Sequence, residues 1–530
     1  VEALHPDFDV RANAYLPLSG PAQSPGLAEF TLQGNSILMT GGQEVPLAGL
    51  DVEAGVRLPL EKLSPALSPE NLELRLYGGG YYFDDIYDTL IPEEVAGVKS
   101  RLQLVFNNAV AALPGSKITL ESRYSSDDVR DERFEVGVRL QIPFGGGRRG
   151  RSHLSRQARR MVAALERDID IVTAKSKAEK VIDNLTDVTF DRVAYASAGD
   201  DLTTAAAQGG NTLIIATGNL NGDKALQANQ TLQGGGSTIA VRGARSGTVV
   251  GFTAPGTQPT IDENVNAVLS ITDSNTHIAG VNVTGGGIFA PVTNDGIQVA
   301  DGTSNIVIAD SSVSGVGDNA LDFNDNHTGV TIKDVTISFS GGDGIDFDAG
   351  NSDITIQGVS IGFSVDDGID FGDNNTNVRI TQTDISDSLG NGIVIDDNNE
   401  ITLTDLAIWT SDDVGVRADD GNTITMTGSS IINSGFDGFI ARDNNSVTVT
   451  GNTFTDTTNG DAVAFRTGNT ANIADNTFSG SIASNLIDLD GANNTLSGTG
   501  NINNATSVAV CEDAGGNFGQ TTFTDGLTCP

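Results

Sequence analysis

Asp343-Gly344-Ile345-Asp346-Phe347 is followed by Asp367-Gly368-Ile369-Asp370-Phe371 and then by Asn391-Gly392-Ile393-Val394-Ile395, with the three glycines 24 residues apart. Gly296 and Ala320 fill the same slot upstream, and Gly415, Gly438 and Ala462 fill it downstream at steps of 23, 23 and 24 residues. A fixed period of this length means a solenoid with one coil per repeat. Each repeat carries three short apolar pairs at alternate positions, such as Ile345/Phe347, Ile354/Ile356 and Val359/Ile361, then Ile369/Phe371, Val378/Ile380 and Thr383/Ile385. Alternation marks strands with one buried face. Asn, Asp, Gly and Ser fill the gaps, as turns between strands require. Three strands per repeat describe a parallel β-helix with three faces and rungs about 4.8 Å apart. Inside it, Phe323, Phe347 and Phe371 are expected to form one ladder, and Ile345, Ile369 and Ile393 its neighbour. No stretch of the repeat region keeps a 3.6-residue apolar period and Gly is frequent, which disfavours a helical solenoid.

The chain has 530 residues, long enough for two or more domains. Its 30 Lys and Arg against 69 Asp and Glu leave a net charge of −39. Nucleic acid is excluded as a partner, because its phosphates would be repelled. There is no run of 18 or more apolar residues, hence no expected transmembrane helix. The chain opens at Val1 without a leader, so a processed or truncated start is expected.

The first 145 residues lack the period and alternate strictly over longer strands. Val52, Ala54, Val56 and Leu58 share one face of their strand, while Asp51, Glu53 and Arg57 share the other. Val98, Leu102, Leu104 and Phe106 oppose Lys99, Arg101 and Gln103 in the same way; Phe134, Val136, Val138, Leu140 and Ile142 oppose Glu135, Arg139 and Gln141. Apolar toward lipid and charged toward a wet lumen is the pattern of a transmembrane β-barrel. A soluble antiparallel sheet with one solvated face gives the same alternation. Tyr77, Tyr81, Tyr82, Phe83 and Tyr87 are candidates for an aromatic girdle. About seven strands are legible, and closure needs at least about eight, so early strands are expected to be missing. Arg148, Arg149, Arg151, Arg156, Arg159, Arg160 and Arg167 then cluster around a short helix expected at Leu154–Arg167. This segment reads either as a solvated basic linker or as one threading a lumen lined by Asp51, Glu53, Glu121 and Glu135.

Three stretches carry a family resemblance: Asp9-Val10-Arg11-Ala12-Asn13-Ala14-Tyr15-Leu16-Pro17, the run Arg133–Gly145, and Arg159-Arg160-Met161 followed by Glu166-Arg167-Asp168-Ile169-Asp170-Ile171-Val172-Thr173. Together they resemble the inverse autotransporters, surface proteins of the intimin and invasin type. Gly451-Asn452-Thr453-Phe454 and Asp475-Asn476-Thr477-Phe478 resemble rungs of the pectate-lyase-like right-handed β-helix. The first resemblance implies a bacterial outer-membrane anchor, assembly by the barrel-insertion machinery, and display of the C-terminal part on the cell surface. The expected fold is all-β. Its parts are a partial antiparallel barrel over 1–145, a basic linker over 146–185, a right-handed parallel β-helix over 186–510 and a cap over 511–530. In an exported protein Cys511 and Cys529, the only cysteines, are expected to pair and staple that cap.

Chemistry on the β-helix would rest on carboxylates. Asp322, Asp346 and Asp370 occupy one column; Asp343 and Asp367 form a second, continued by Asp437 and Asp461. Adjacent rungs would place carboxylates roughly 5 Å apart and rungs once removed about 10 Å, bracketing rather than meeting the ~6.5–9.5 Å of an inverting hydrolase. Such groups share a proton or hold a cation, with weak calcium binding as one outcome and no other cofactor expected. Arg417 falls in the column of Asp346 and Asp370, so a lyase-like set of Asp346, Asp370 and Arg417 can be drawn. Against it, Asp is also the residue tight turns favour, His277 and His327 stand in neither column, and no Gly-His-Gly signature is present. The structural reading is preferred. Gly341–Phe347 matches the calcium-binding nonapeptide pattern once, without the nine-residue repeat such arrays show. Trp409 is either a buried rung residue or an exposed ring for stacking on a sugar. The leading expectation is an adhesin whose β-helix binds glycan or matrix components. The alternatives are a surface-displayed polysaccharide lyase or hydrolase, and a spacer with no site.

Overall fold

The computed structural model describes residues 1–84, 94–110, 116–127, 131–142, 155, 157, 173–175, 177–263, 266–287 and 294–529. They form two compact units: 1–30, 39–179 and 245–248 in the first, and 31–38, 180–244 and 249–530 in the second. The second unit therefore starts at Lys180 rather than at 186, because the strand Glu179–Asp183 pairs antiparallel with Thr238–Gly243. It also takes in 31–38, which the expected 1–145 domain had assigned elsewhere. Tyr87, Pro143–Gly145 and the arginine cluster lie outside the described residues, as does the helix expected at 154–167 apart from Ser155 and Gln157.

The first unit contains a seven-stranded antiparallel sheet. Its strands are β1 (Glu2–Leu4), β2 (Phe8–Tyr15), β3 (Ala48–Leu58), β4 (Leu72–Asp84), β5 (Val95–Asn107), β6 (Lys117–Asp127) and β7 (Asp131–Gln141), paired in chain order. Among the described residues β1 and β7 each have one neighbour. Polar and aliphatic side chains segregate to opposite faces of β2 to β5, and β7 is exposed on both faces. Asp9, Arg11, Asp51, Glu53, Arg75, Arg101 and Gln103 are buried. Val10, Val52, Val56, Leu76, Val98 and Leu102 are exposed, and so are Phe134, Val136, Val138 and Leu140. The buried charges are paired: Arg75 with Asp9 at 3.1 Å, Lys99 with Asp51 at 2.8 Å, and Arg101 with Glu121 at 3.2 Å. The Arg101 guanidinium also lies 4.0 Å from the centre of the Tyr77 ring. The expected aromatic girdle fails on parity. Tyr77, Tyr81 and Phe83 sit at odd positions with Arg75 and are buried on the polar side, whereas Tyr82 alone of the described four faces outward.

The second unit is the solenoid. Three parallel sheets of 14, 12 and 12 strands run its length, one strand of each per rung. In one rung these are Thr328–Lys333 on the first face, Thr336–Ser340 on the second and Ile345–Phe347 on the third. Leu321, Ile345, Ile369 and Ile393 lie in register, as do Phe323, Phe347 and Phe371. The phenylalanine rings stack at 4.4 and 5.3 Å between centroids. Glycine recurs before this strand because space demands it. A Cβ on Gly344 would stand 2.5 Å from both the Gly368 carbonyl oxygen and the Ile361 methyl. The short helix α1 (Asp201–Ala206) buries Leu202, Ala205 and Ala206 against the first rungs.

The corners are held by side chains. Asn351, Asn375, Asn399, Asn422, Asn445 and Asn469 are buried, and each accepts through Oδ1 the backbone N–H of its counterpart one rung before. Buried backbone N–H groups need such acceptors. A second pairing fixes the N-terminal end, where buried Asp183 accepts from Thr231 at 3.0 Å and lies 2.7 Å from His277 Nδ1. At the other end Ala509–Asp513 still forms a rung strand, with Cys511 opposite Ile487. Beyond it Thr521–Thr522 pairs with Thr528–Cys529, and the Cys511–Cys529 disulfide ties this hairpin to the last rung. The cap thus begins later than 511.

Asn422→Ala removes the acceptor of the Asn399 N–H and is expected to cost about 1–3 kcal/mol. Urea unfolding measures the loss, and faster hydrogen exchange at Asn399 localises it; unchanged exchange would show that the ladder does not hold the corner. Reducing the disulfide is expected to lower stability by about 3 kcal/mol, with exchange rising first in residues 485–529.

Candidate functional site

The third face carries the outward column Gln298, Asp322, Asp346, Asp370, Val394, Arg417 and Ile440, set by register. The corner before it carries Asn319, Asp343, Asp367 and Asn391. These form another ladder: Asn319 Oδ1 accepts the Asp343 N–H at 2.8 Å, and Asp343 Oδ1 accepts the Asp367 N–H at 2.7 Å. Asp367 Oδ1 accepts from Asn391, and Asp437 and Asp461 repeat the arrangement further along. One oxygen of each corner aspartate is therefore committed to the fold, in keeping with the structural reading of that column.

The two columns converge. One carboxylate oxygen each of Asp343, Asp346 and Asp370 lie within 4.8 Å of one another, and Asp343, Asp366 and Asp367 form an overlapping group. Burial, reinforced by the neighbouring carboxylates, pushes Asp346 and Asp370 up to about 7 and Asp343 up to about 8. Asp322 and Asp367 are raised for the same first reason. Asp295, raised to about 7 by burial and by Asp322 and Asp318, belongs to this set and escaped the sequence reading. The available signal was its Asp-Gly dipeptide, 295–296, which repeats as 343–344 two periods on.

Arg417 acts on the cluster through its charge, which pulls Asp367 and Asp370 down against their burial. Its guanidinium donates to Asp419 at 2.9 and 2.6 Å, and Val394 separates it in the column from Asp370. Of the drawn set of Asp346, Asp370 and Arg417, the two carboxylates approach each other while the guanidinium's hydrogen bonds go to Asp419. His277 is buried with Asp183, and His327 is buried with Thr303 at 2.9 Å from Nδ1. Among the described residues no imidazole faces the carboxylates. The arrangement can hold a proton, or a divalent cation on Asp343, Asp346 and Asp370. Trp409 is exposed on the second face, at 52%.

The sequence model of the family described as "Right handed beta helix region" matches residues 266–412 and 391–526. This part of the chain is a right-handed parallel β-helix. No curated protein sequence matches the chain. Solved structures similar to it include the A-modules of the mannuronan C-5 epimerases AlgE4 and AlgE6 from Azotobacter vinelandii. Each is 15% identical; they cover 60% and 61% of this chain and 95% of their own, with TM-scores of 0.49 and 0.48. The alginate lyase from Paenibacillus sp. str. FPU-7 is 14% identical over 61% of this chain and 99% of its own, with a TM-score of 0.35. At these scores and identities the likeness carries no chemistry to this chain.

A carboxyl raised in the fold is protonated there at pH values where the unfolded chain has already lost its proton. Its contribution to stability is complete below about pH 4 and is lost as pH climbs through 7 to 8. Asp370→Asn is expected to stabilise the protein at pH 8 by about 1–3 kcal/mol and to leave stability near pH 4 almost unchanged. Thermal melts at the two pH values check this; equal effects at both would remove the cluster as a titrating unit. Calorimetry with millimolar calcium at pH 8 reads the cation directly.

Proposed function

We propose that this chain is a cell-surface protein anchored in a bacterial outer membrane by its N-terminal sheet and displaying a polysaccharide-binding β-helix. The observation that carries the anchor is the reversed polarity of β2 to β5. Burying Asp9, Glu53, Arg75 and Arg101 while exposing Val10, Val52, Leu76 and Leu102 is unfavourable in water. Against lipid the same assignment is the stable one, with ion pairs turned to a wet interior and aliphatic side chains turned to acyl chains. Lipid also requires every strand edge to find a partner, which in a closed barrel β1 and β7 would have.

A second reading, an enzyme acting on polysaccharide, is favoured by Asp343, Asp346 and Asp370, whose carboxyls titrate near neutrality, as proton-transfer groups must. It stands behind the binding reading because the nearest guanidinium in that column is engaged with Asp419.

Leu102→Arg separates lipid from water at one position. Leu102 is 43% exposed in the middle of β5. On a watery face the change is expected to be neutral within about 0.5 kcal/mol, whereas at the bilayer midplane it costs about 2–4 kcal/mol. The variant should fail to accumulate in the outer-membrane fraction of a Gram-negative host while the wild type does so and is shaved by external protease. Equal recovery of both proteins from the soluble fraction would overturn the anchor.

A further inference from the structure

Between Val249 and Ile502 five large apolar side chains are exposed among the described residues: Phe339, Val365, Leu389, Trp409 and Phe436. All five lie at or beside the corner where the second face turns into the third, Trp409 as the last residue of its second-face strand. Register places them on five successive rungs, a line about 19 Å long. Half-buried Phe363 joins it, its ring 5.8 Å from that of Phe339.

The two phenylalanines stand where their backbone does not favour them. Successive rungs place Gly315, Phe339, Phe363, Asp387, Thr410, Asn433 and Asp456 at one position, every one with positive φ. Gly, Asn and Asp tolerate that conformation, and a bulky side chain resists it. Phe339 is not repaid by burial, being 55% exposed. Strain kept without burial points outward, to something these rings meet.

We propose that this stripe binds an extended polysaccharide that carries no acidic groups, neutral or amino-bearing, laid along the β-helix axis. The proposal rests on the polysaccharide-binding reading above and names its site and its ligand class. A pyranose offers an apolar C–H face to an aromatic ring and hydroxyls around its edge. Rings and aliphatic side chains recur here once per rung, a spacing comparable to the advance per sugar in an extended chain. Beside them Asp366, Asp412 and Asp413 supply acceptors for hydroxyl or ammonium groups. The charge of −39 selects against a polyanion, and equally against a second copy of this chain, since either would bring like charges together.

The test uses Trp409, the one tryptophan of the protein, as its reporter in the full chain held in detergent. Cellohexaose, mannohexaose, chitosan hexamer and an alginate hexamer are titrated against its emission. A saturable blue shift with a neutral or amino-bearing hexamer, and none with alginate, is the expected result. Phe339→Asn with Phe363→Asn installs a residue type this corner already accepts at Asn433. The double variant should melt no lower than the wild type and bind roughly tenfold more weakly. Lower thermal stability would make the rings structural, and lost self-association in ultracentrifugation would make the stripe a contact between copies; either overturns the proposal. Binding that survives the double variant, or binding of alginate alone, overturns the stripe or its ligand class while leaving polysaccharide binding intact. Failure of every hexamer to bind removes both.

Discussion

Stacking identical coils creates one recurring problem, since the backbone N–H groups at each corner point along the axis and are sealed from water. The solenoid solves it by having each rung lend an oxygen to a neighbouring one. Asn375 to Asn399, Asp343 to Asp367 and Ser429 to Asn452 are three versions of one contact, an N–H bonded to the side chain of the equivalent residue 23 or 24 positions away. This fixes the register of the sheets between the corners. Register in turn stacks Phe347 on Phe371 inside and aligns Asp346 with Asp370 outside. The aspartate cluster is thus a by-product of the fold as much as a site: the same repetition that supplies acceptors at the corner crowds carboxylates on the face beside it.

The two units obey opposite rules of burial. In the β-helix the aliphatic ladders are sealed inside, and the large apolar side chains left outside are the line through Phe339 and Trp409 and residues toward the two ends such as Tyr195 and Phe518. In the seven-stranded sheet salt-bridged Arg75 and Arg101 are inside and valines are outside. Beside those charges the unit buries a small apolar cluster of Val45, Leu47, Tyr81, Phe83 and Val95. Ion pairs buried in this way only partly offset the desolvation of their charges.

The solenoid was legible because its constraint is periodic. Ile345, Ile369 and Ile393 repeat in sequence for the reason they touch in space. The alternation of the N-terminal strands was equally visible, but alternation is silent about which face is buried, and parity assigned to a girdle the tyrosines that in fact line the polar side. Two features were hidden for more local reasons. In Thr336–Ser340 strict alternation would turn Phe339 inward, yet positive φ at that residue flips it out and puts Ser340 inside. Arg417 shares a column with Asp370, but a flexible guanidinium goes to the nearest carboxylate, and Asp419 two residues on is nearer. Register specifies where a residue stands, and side-chain direction answers to neighbours the period does not name.

The hairpin at 521–529 bears on how many such chains can stand together. A bare final coil presents unpaired strand edges on three sides, a template on which another molecule's first coil could dock and so begin a fibre. The hairpin of Thr521–Thr522 and Thr528–Cys529, bonded covalently through Cys529 to Cys511 of the rung strand, occupies part of that end and leaves less of it open to a neighbour.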